Sequence, residues 1–151
     1  MKVLVFSIGA DRYGLALTDI ARVLPVATLK QVPLAPSYVA GIMDLHGQPV
    51  PVIDLSHLAG VPPEQIWFDT RIILVDYPLT NGITAHLGLL AEHVTGIATL
   101  DAASLHDAGV TSAAFLGQVA STDGGMLQLV QIEHLLTPDV RSLLFQSQAV
   151  A

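Results

Sequence analysis

Histidine is the side chain in this chain best able to do chemistry: there are six. His46, His57, His86 and His93, together with Glu92, are the names a transition-metal ion would select, since imidazole and carboxylate are common ligands. Their spacing argues against a metal centre, because no two share one helix face or alternate along one strand, and no H-E-x-x-H helix occurs. Asp44 stands two residues before His46 and could form an acid-base pair with it at a hairpin tip. Neither has a third group to orient it, and Asp and His in a turn are ordinarily solvated turn formers. Asp54 follows Val52-Ile53, where a carboxylate caps a coming helical turn. Trp67-Phe68 is either an exposed anchor of the kind enriched at interfaces or a cover over a joint between subdomains. The chain has no G-x-G-x-x-G, no Walker loop and no G-x-S-x-G elbow. These absences favour binding over catalysis.

The elements that would carry these residues are mostly strands. Val3 to Ile8 and Tyr13 to Leu17 flank the turn residues Gly9-Ala-Asp-Arg12 and read as a hairpin. Thr18 to Leu24 reads as a short helical turn or as an extended edge, and the residues leave both open. Gly41 to Leu45 and Val50 to Ile53 form a second hairpin around His46-Gly-Gln-Pro49. Pro49 and Pro51 cannot donate to a ladder, which puts them at an edge. Arg71 to Val75, His86 to Leu90, Val94 to Leu100, Phe115 to Ala120 and Met126 to Val130 supply further strands, with a polar stretch from Asp101 to Ser112. Thr137-Pro138 opens a terminal helix, with Thr137 as its cap and Val140, Leu143 and Leu144 on one side.

An internal echo organises these pieces. The segment Tyr38 to Leu58 recurs 77 positions later as Phe115 to Leu135, pairing Tyr38 with Phe115, Ile42 with Val119, Gly47 with Gly124, Ile53 with Val130 and His57-Leu58 with His134-Leu135. Tyr13 to Ile20 has its own echo in Leu87 to Val94, at a spacing of 74. The chain reads as two related halves, about 3–58 and 71–136, joined through Gly60-Val-Pro-Pro-Glu-Gln65. The equivalence of His57 and His134, each flanking a short helix, marks them as scaffold. Short strands with Gly and Pro turns predict an all-β pair of barrels.

Composition limits the partners. With 151 residues the chain is long enough to bury a sizeable core as one unit. It is 52% hydrophobic and only 13% charged, well below the usual quarter, which predicts neutral or apolar docking faces. A net charge of −7 with six scattered basic residues leaves nothing to neutralise a run of phosphates, so nucleic acid is excluded as a partner. The absence of cysteine rules out disulfides and thiolate chemistry and points to the cytoplasm. Met1 to Phe6 imitates a secretion signal, but Asp11 and Arg12 cut the apolar stretch short, and a first strand is the better reading. No apolar run approaches the roughly 18 residues of a spanning helix, so direct membrane insertion is not expected.

Tyr13-Gly14 after the first hairpin, Gly41-Ile-Met-Asp-Leu-His-Gly47 and Val50-Pro-Val-Ile-Asp-Leu55 resemble the CheW family of chemotaxis adaptor proteins, whose pattern reads G-V-x-N-L-R-G-x-x-V-P-V-I-D-L. Gly88-Leu-Leu, Phe115-Leu-Gly and Met126 to Leu136 are similar to the family's second-half landmarks, so the resemblance spans nearly the whole chain. It implies one domain over 1–151, built as two pseudo-symmetric five-stranded barrels of the Src-homology-3 type around a shared core. The subdomains would cover about 13–70 and 71–136, with strands exchanged near the termini and a helix at about 138–147. It also implies a protein without enzymatic activity or cofactor. Such a protein couples the cytoplasmic tips of methyl-accepting chemoreceptors to the regulatory domain of a CheA-type histidine kinase, and is recruited from the cytoplasm to membrane receptor arrays.

Four positions depart from that pattern. His46 stands where the family commonly has arginine, after Asp44 in place of asparagine; Arg22 occupies a commonly acidic position; and Ser56 replaces a frequent arginine. A titratable ring replaces a permanently charged, forked donor at His46. Altered charge at a contact surface implies an altered partner, such as an array controlling pili, surface attachment or second-messenger synthesis. The partner-binding candidates carried by the resemblance are Ile20, Arg22, Gly41 and His46, with Asp44 added from the same turn, while Gly41 is equally a backbone device and Ile20 equally core. The rival readings are a stand-alone β-barrel holding a small ligand, a divergent metal enzyme using the histidines, and a self-assembling scaffold that has lost kinase binding.

Overall fold

β-Branched and aromatic residues crowd the start of the chain, and they form β1 (Lys2–Ile8), which turns at Gly9 (φ +60°) into β2 (Asp11–Ala16). A computed structural model describes residues 1–63, 65–110 and 112–145. The undecided segment resolves into both alternatives: a 3-10 turn over Leu17–Asp19, then β3 (Ile20–Pro25). The order continues with β4 (Val39–Leu45), β5 (Gln48–Asp54), α1 (Leu55–Leu58), β6 (Arg71–Pro78), β7 (Thr84–Thr99), β8 (Leu116–Thr122), β9 (Gly125–Val130) and α2 (Pro138–Leu144). His86 to Leu90 and Val94 to Leu100, expected as separate strands, fall, except for Leu100, in the one 16-residue strand β7.

That strand changes partners midway. Thr84 to Ala91 pair with β6, and Gly88 to Leu90 also run parallel to Val52–Asp54 of β5, whereas Glu92 to Thr99 pair with β1. Two five-stranded sheets result, in the orders β3-β6-β7-β5-β4 and β7-β1-β2-β9-β8, and each contains strands of both sequence halves. The fold is all-β, as expected, but neither sheet is a closed barrel. Beyond the ladders, a single bridge joins each last strand to the segment following the opposite edge: Lys30 to Ile42 (2.9 and 2.8 Å) and His106 to Val119 (3.0 and 2.8 Å). The bridged strand residues Ile42 and Val119 are related by the sequence echo. So are the bonds from Asp54 N–H to the Tyr38 carbonyl (2.7 Å) and from Gln131 N–H to the Phe115 carbonyl (2.8 Å).

Burial follows from this sharing. β1 and β6 are covered on both faces, so their apolar residues do not alternate with polar ones. Leu4, Phe6, Ile73, Val75 and Tyr77 point into one large core between the sheets, with Leu15, Ile53, Leu87 and Leu89. Val3 and Val5 point the other way, into a small cluster with Leu100, Ala120 and Leu127, while Ile72 and Leu74 join Met43, Val50 and Val52. Much of the apolar composition is therefore consumed internally, although Phe68, Leu34, Val110, Met126, Ile66 and Ile97 remain exposed.

Both small clusters demand a glycine where a parallel pair crosses them. A Cβ at Gly88 would lie 2.9 Å from Val52 Cγ2 and 3.0 Å from Ile72 Cγ2; at the echoed Gly14 it would meet Leu127 Cδ2 at 3.0 Å and Val3 Cγ2 at 3.2 Å. Pro49 and Pro51 sit on β5 before its pairing with β7 begins at Val52, so their missing N–H groups face an open edge.

The short helices obey their caps. Asp54 is buried, and its Oδ1 accepts from Ser56 N–H (2.9 Å) and His57 N–H (3.2 Å), whereas Gln131 makes no such bond at the equivalent turn. Thr137 Oγ1 accepts from Val140 N–H at 3.4 Å. Val140 is buried and Leu144 packs on the core, but Leu143, expected on the same side, is exposed. Phe145 is buried and stacks on Tyr77 with ring centroids 5.9 Å apart. The helix range expected to reach 147 extends outside the described residues.

Two outcomes check this packing. Gly88→Ala costs about 1–3 kcal/mol in urea unfolding. Gly14→Ala costs less, because the tip of Leu127 can rotate away. Burial pushes the Asp54 carboxyl above its ordinary range, partly offset by the two backbone donors and His57. A carboxyl with a raised folded pKa gains stability as pH falls through that value and loses it as pH rises. At pH 7 Asp54→Asn, which keeps an acceptor and sheds the buried charge, therefore unfolds at or above the parental midpoint. Asp54→Ala loses about 1 kcal/mol with the cap.

Candidate partner-binding surface

Leu45 pairs with Gln48, so the β4-β5 connection is a two-residue turn of His46 (φ +52°) and Gly47 (φ +87°). Left-handed geometry at both positions is the type I′ hairpin turn, whose twist matches the strands it joins. A histidine in that conformation is uncommon. Asp44 holds the turn: its Oδ1 accepts from Gly47 N–H at 2.7 Å. Asp44 is thus a turn former, as preferred over an acid-base pair with His46; no hydrogen bond joins the two side chains among the described residues, and both are exposed.

Gly41 lies at a bulge in β4, buried, with φ +148°. A Cβ there would come within 2.6 Å of the Lys30 carbonyl oxygen, the atom that bridges to Ile42 N–H. Only glycine lets the segment after β3 reach β4. Gly41 thus acts through the backbone, setting the hairpin that carries Asp44 and His46.

Ile20 and Arg22 sit on β3 at the other edge of the same sheet, with β6, β7 and β5 between that edge and β4. Ile20 is half-buried against the main core opposite Val75, while Arg22 is exposed and joins none of the ion pairs among the described residues. Burial pushes the neighbouring Asp19 carboxyl up, and Glu133 and Asp76 add repulsion. The structure groups Gly41, Asp44 and His46 on one hairpin and Ile20 and Arg22 on one strand, and no hydrogen bond between the groups occurs among the described residues.

The remaining histidines are dispersed. His57 approaches Asp54 (3.9 Å), His86 approaches Asp76 (3.7 Å), and His93 Nδ1 meets Asp69 Oδ1 at 2.8 Å. No group of three metal-ligating side chains occurs among the described residues. Glu92 instead accepts from Trp67 Nε1 and Ser56 Oγ, both at 2.7 Å, and the Trp67 ring packs on His93 with centroids 5.4 Å apart. The Trp67-Phe68 pair divides its two expected roles: Trp67 covers the joint and Phe68 projects. Ser56, at a frequent arginine position of the resembled pattern, is buried as a structural donor. Sequence reasoning named Glu92, His93 and Trp67 separately without finding this clamp, because its parts lie 25 or more positions apart in part.

An apolar groove of about 430 Å³ runs between the β4-β5 hairpin and α2, lined by Ile42, Pro49, Pro51, His86, Leu143 and Phe145, among others. Met43, Val50, Val52, Ile72 and Leu74 pack inside one sheet, and Val3, Val5, Leu100, Ala120 and Leu127 inside the other. No helix among the described residues is long and apolar enough to cross a membrane.

Comparison with known proteins fits this geometry. A family model described as a CheW-like domain matches residues 2–139. The chain is 26% identical over 135 residues to the chemotaxis protein CheW of Bacillus subtilis (strain 168), covering 89% of this chain and 80% of that protein. It is 23% identical over 146 residues to the chemotaxis protein CheW of Klebsiella aerogenes, covering 94% and 85%. The crystal structure of the scaffolding protein TtCheW from Thermoanaerobacter tengcongensis superimposes with a TM-score of 0.79 at 29% identity, over 90% of this chain and 87% of that one. A match running through both sheets, from β1 into α2, makes this chain a member of the CheW-like domain family.

Proposed function

We propose that this chain is a non-enzymatic adaptor that couples the cytoplasmic tip of methyl-accepting chemoreceptors to the regulatory domain of a CheA-type histidine kinase. It acts in the cytoplasm, recruited to membrane receptor arrays. The observation that carries the reading is the family match over residues 2–139, supported by relatives named as chemotaxis proteins and a structural relative named as a scaffold. An adaptor of this kind transmits state by binding one conformation of a receptor better than another, so its output is a coupling free energy and not a reaction.

Two edges of one sheet serve as contact surfaces. The hairpin presents His46 on a turn fixed by Asp44, Gly41 lets the segment after β3 pack against its first strand, and β3 presents Arg22 beside the half-buried Ile20. A pre-set turn loses little entropy on docking. The exchanged charges at His46 and Arg22 select a kinase or receptor of complementary charge, in a pathway controlling pili or surface attachment instead of swimming.

Calorimetric titration against the regulatory domain of each CheA-type kinase encoded in the same genome tests the coupling. Saturable one-to-one binding to one of them is expected, and no binding to any contradicts it. Restoring the family charges with His46→Arg and Arg22→Glu shifts relative affinity toward a flagellar-type kinase or receptor by about tenfold. An unchanged ratio in parallel titrations removes these two residues from the contact.

A further inference from the structure

The groove of about 430 Å³ between the β4-β5 hairpin and α2 has the volume of a small-molecule site. Ile42, Pro51, Leu143, Leu144 and Phe145 supply most of its walls, and all five are apolar. Pro49 and Pro51 have no N–H to offer on this open edge of β5, so an added strand finds no ladder to join. The groove therefore selects its occupant by apolar contact and by the few polar groups beside it.

Those polar groups favour a hydrogen-bond donor and a positive charge. Gln48 and His86 are the polar side chains of the lining, which includes no lysine or arginine among the described residues. His86 Nδ1 is shielded from solvent without a hydrogen-bond partner among the described residues, and Nε2 stands 3.7 Å from Asp76 Oδ1. With the ring proton on Nε2, toward that carboxylate, Nδ1 is an acceptor that lacks a donor. The contact with Asp76 is too long for a hydrogen bond, so this half-exposed carboxylate keeps its own capacity to accept. Asp76 lies directly opposite His86 in the β6-β7 ladder, on the same face of the sheet. In a chain of net charge −7, an anion is repelled from this position and a cation is drawn to it.

We infer that the groove binds a small amphipathic cation, an apolar body of roughly ten to fifteen heavy atoms that ends in a protonated amine. The body lies against Ile42, Pro51 and Phe145. The ammonium group, with three protons to donate, is held by the side-chain carbonyl of Gln48 and by the charge of Asp76. Gln48 directly follows the His46-Gly47 turn, so an occupant bears on the same hairpin that presents His46. A small molecule at this place is an input to the contact surface from within the fold. The inference stands on the groove and does not depend on the adaptor reading.

Titration of the isotope-labelled full chain with naphthylmethylamine, followed by backbone amide chemical shifts, tests it. Naphthylmethanol and naphthoate serve as the neutral and anionic counterparts of the same ring. The amine saturates with a Kd of about 0.1–1 mM, with shifts grouped at Ile42, His86, Leu143 and Phe145. It binds about threefold tighter than the alcohol and about tenfold or more tighter than the carboxylate. Asp76→Asn, at an exposed position, lowers the affinity for the amine about threefold and leaves that for the alcohol unchanged. Leu143→Arg, also at an exposed position, weakens the amine and the alcohol together. Naphthoate binding as tightly as the amine, amine shifts that centre elsewhere or do not saturate by about 10 mM, or an Asp76→Asn variant with parental amine affinity overturns the inference.

Discussion

One strand holds this molecule together by belonging to two sheets. β7 passes from β6 to β1 between adjacent residues, Ala91 pairing with Arg71 and Glu92 with Ser7. The change of partner bends the strand, with His93 at φ +48° and Gly96 at φ +156°, and a non-glycine residue in the left-handed region is costly unless its surroundings fix it. They do: Glu92 takes bonds from α1 through Ser56 and from the inter-half segment through Trp67, and Asp69 grips both His93 and Val94. The joint between the sequence halves is thus clamped onto the bend of the shared strand.

The three cores follow from this arrangement. Because the sheets face each other across β1 and β6, those strands must be apolar on both faces, and because each sheet also curls over its own small cluster, glycine is required where Gly14 and Gly88 cross it. A chain built this way spends its hydrophobic residues on interior surface that a single sandwich would not have. Its charged residues are few but well placed: Asp54 and Asp44 serve backbone turns, Asp69 and Glu92 the clamp. A body braced at its centre leaves hairpin tips and sheet edges as the places where partners can dock without deforming the core.

The sequence showed the periodic features and hid the cooperative ones. The 77-residue echo was readable from residue types alone, and it reappears in the backbone bonds from Asp54 to Tyr38 and from Gln131 to Phe115. Thr137-Pro138 and Asp54 were readable as caps because capping is local chemistry. The continuity of β7 was not, since Glu92-His93 looks like a polar interruption until Trp67, Ser56 and Asp69 are seen to converge on it. The closure of the barrels was also over-read: strand count and turn chemistry cannot distinguish a full ladder from a single bridge. At the candidate surface, the identities of His46 and Arg22 were visible in sequence, but Gly41's contact with the Lys30 carbonyl and the commitment of Asp44 to Gly47 depend on tertiary placement.

Trp67 is the only tryptophan in the chain and lies on the clamp, so it reports directly on whether β7 welds the sheets into one body. Urea unfolding followed in parallel by Trp67 fluorescence and far-ultraviolet circular dichroism is the decisive measurement. A welded structure gives two superimposable curves with one midpoint and one slope. A fluorescence transition completed at lower urea, with the strand signal still intact, would mean that the clamp melts by itself and that the two sheets do not depend on it.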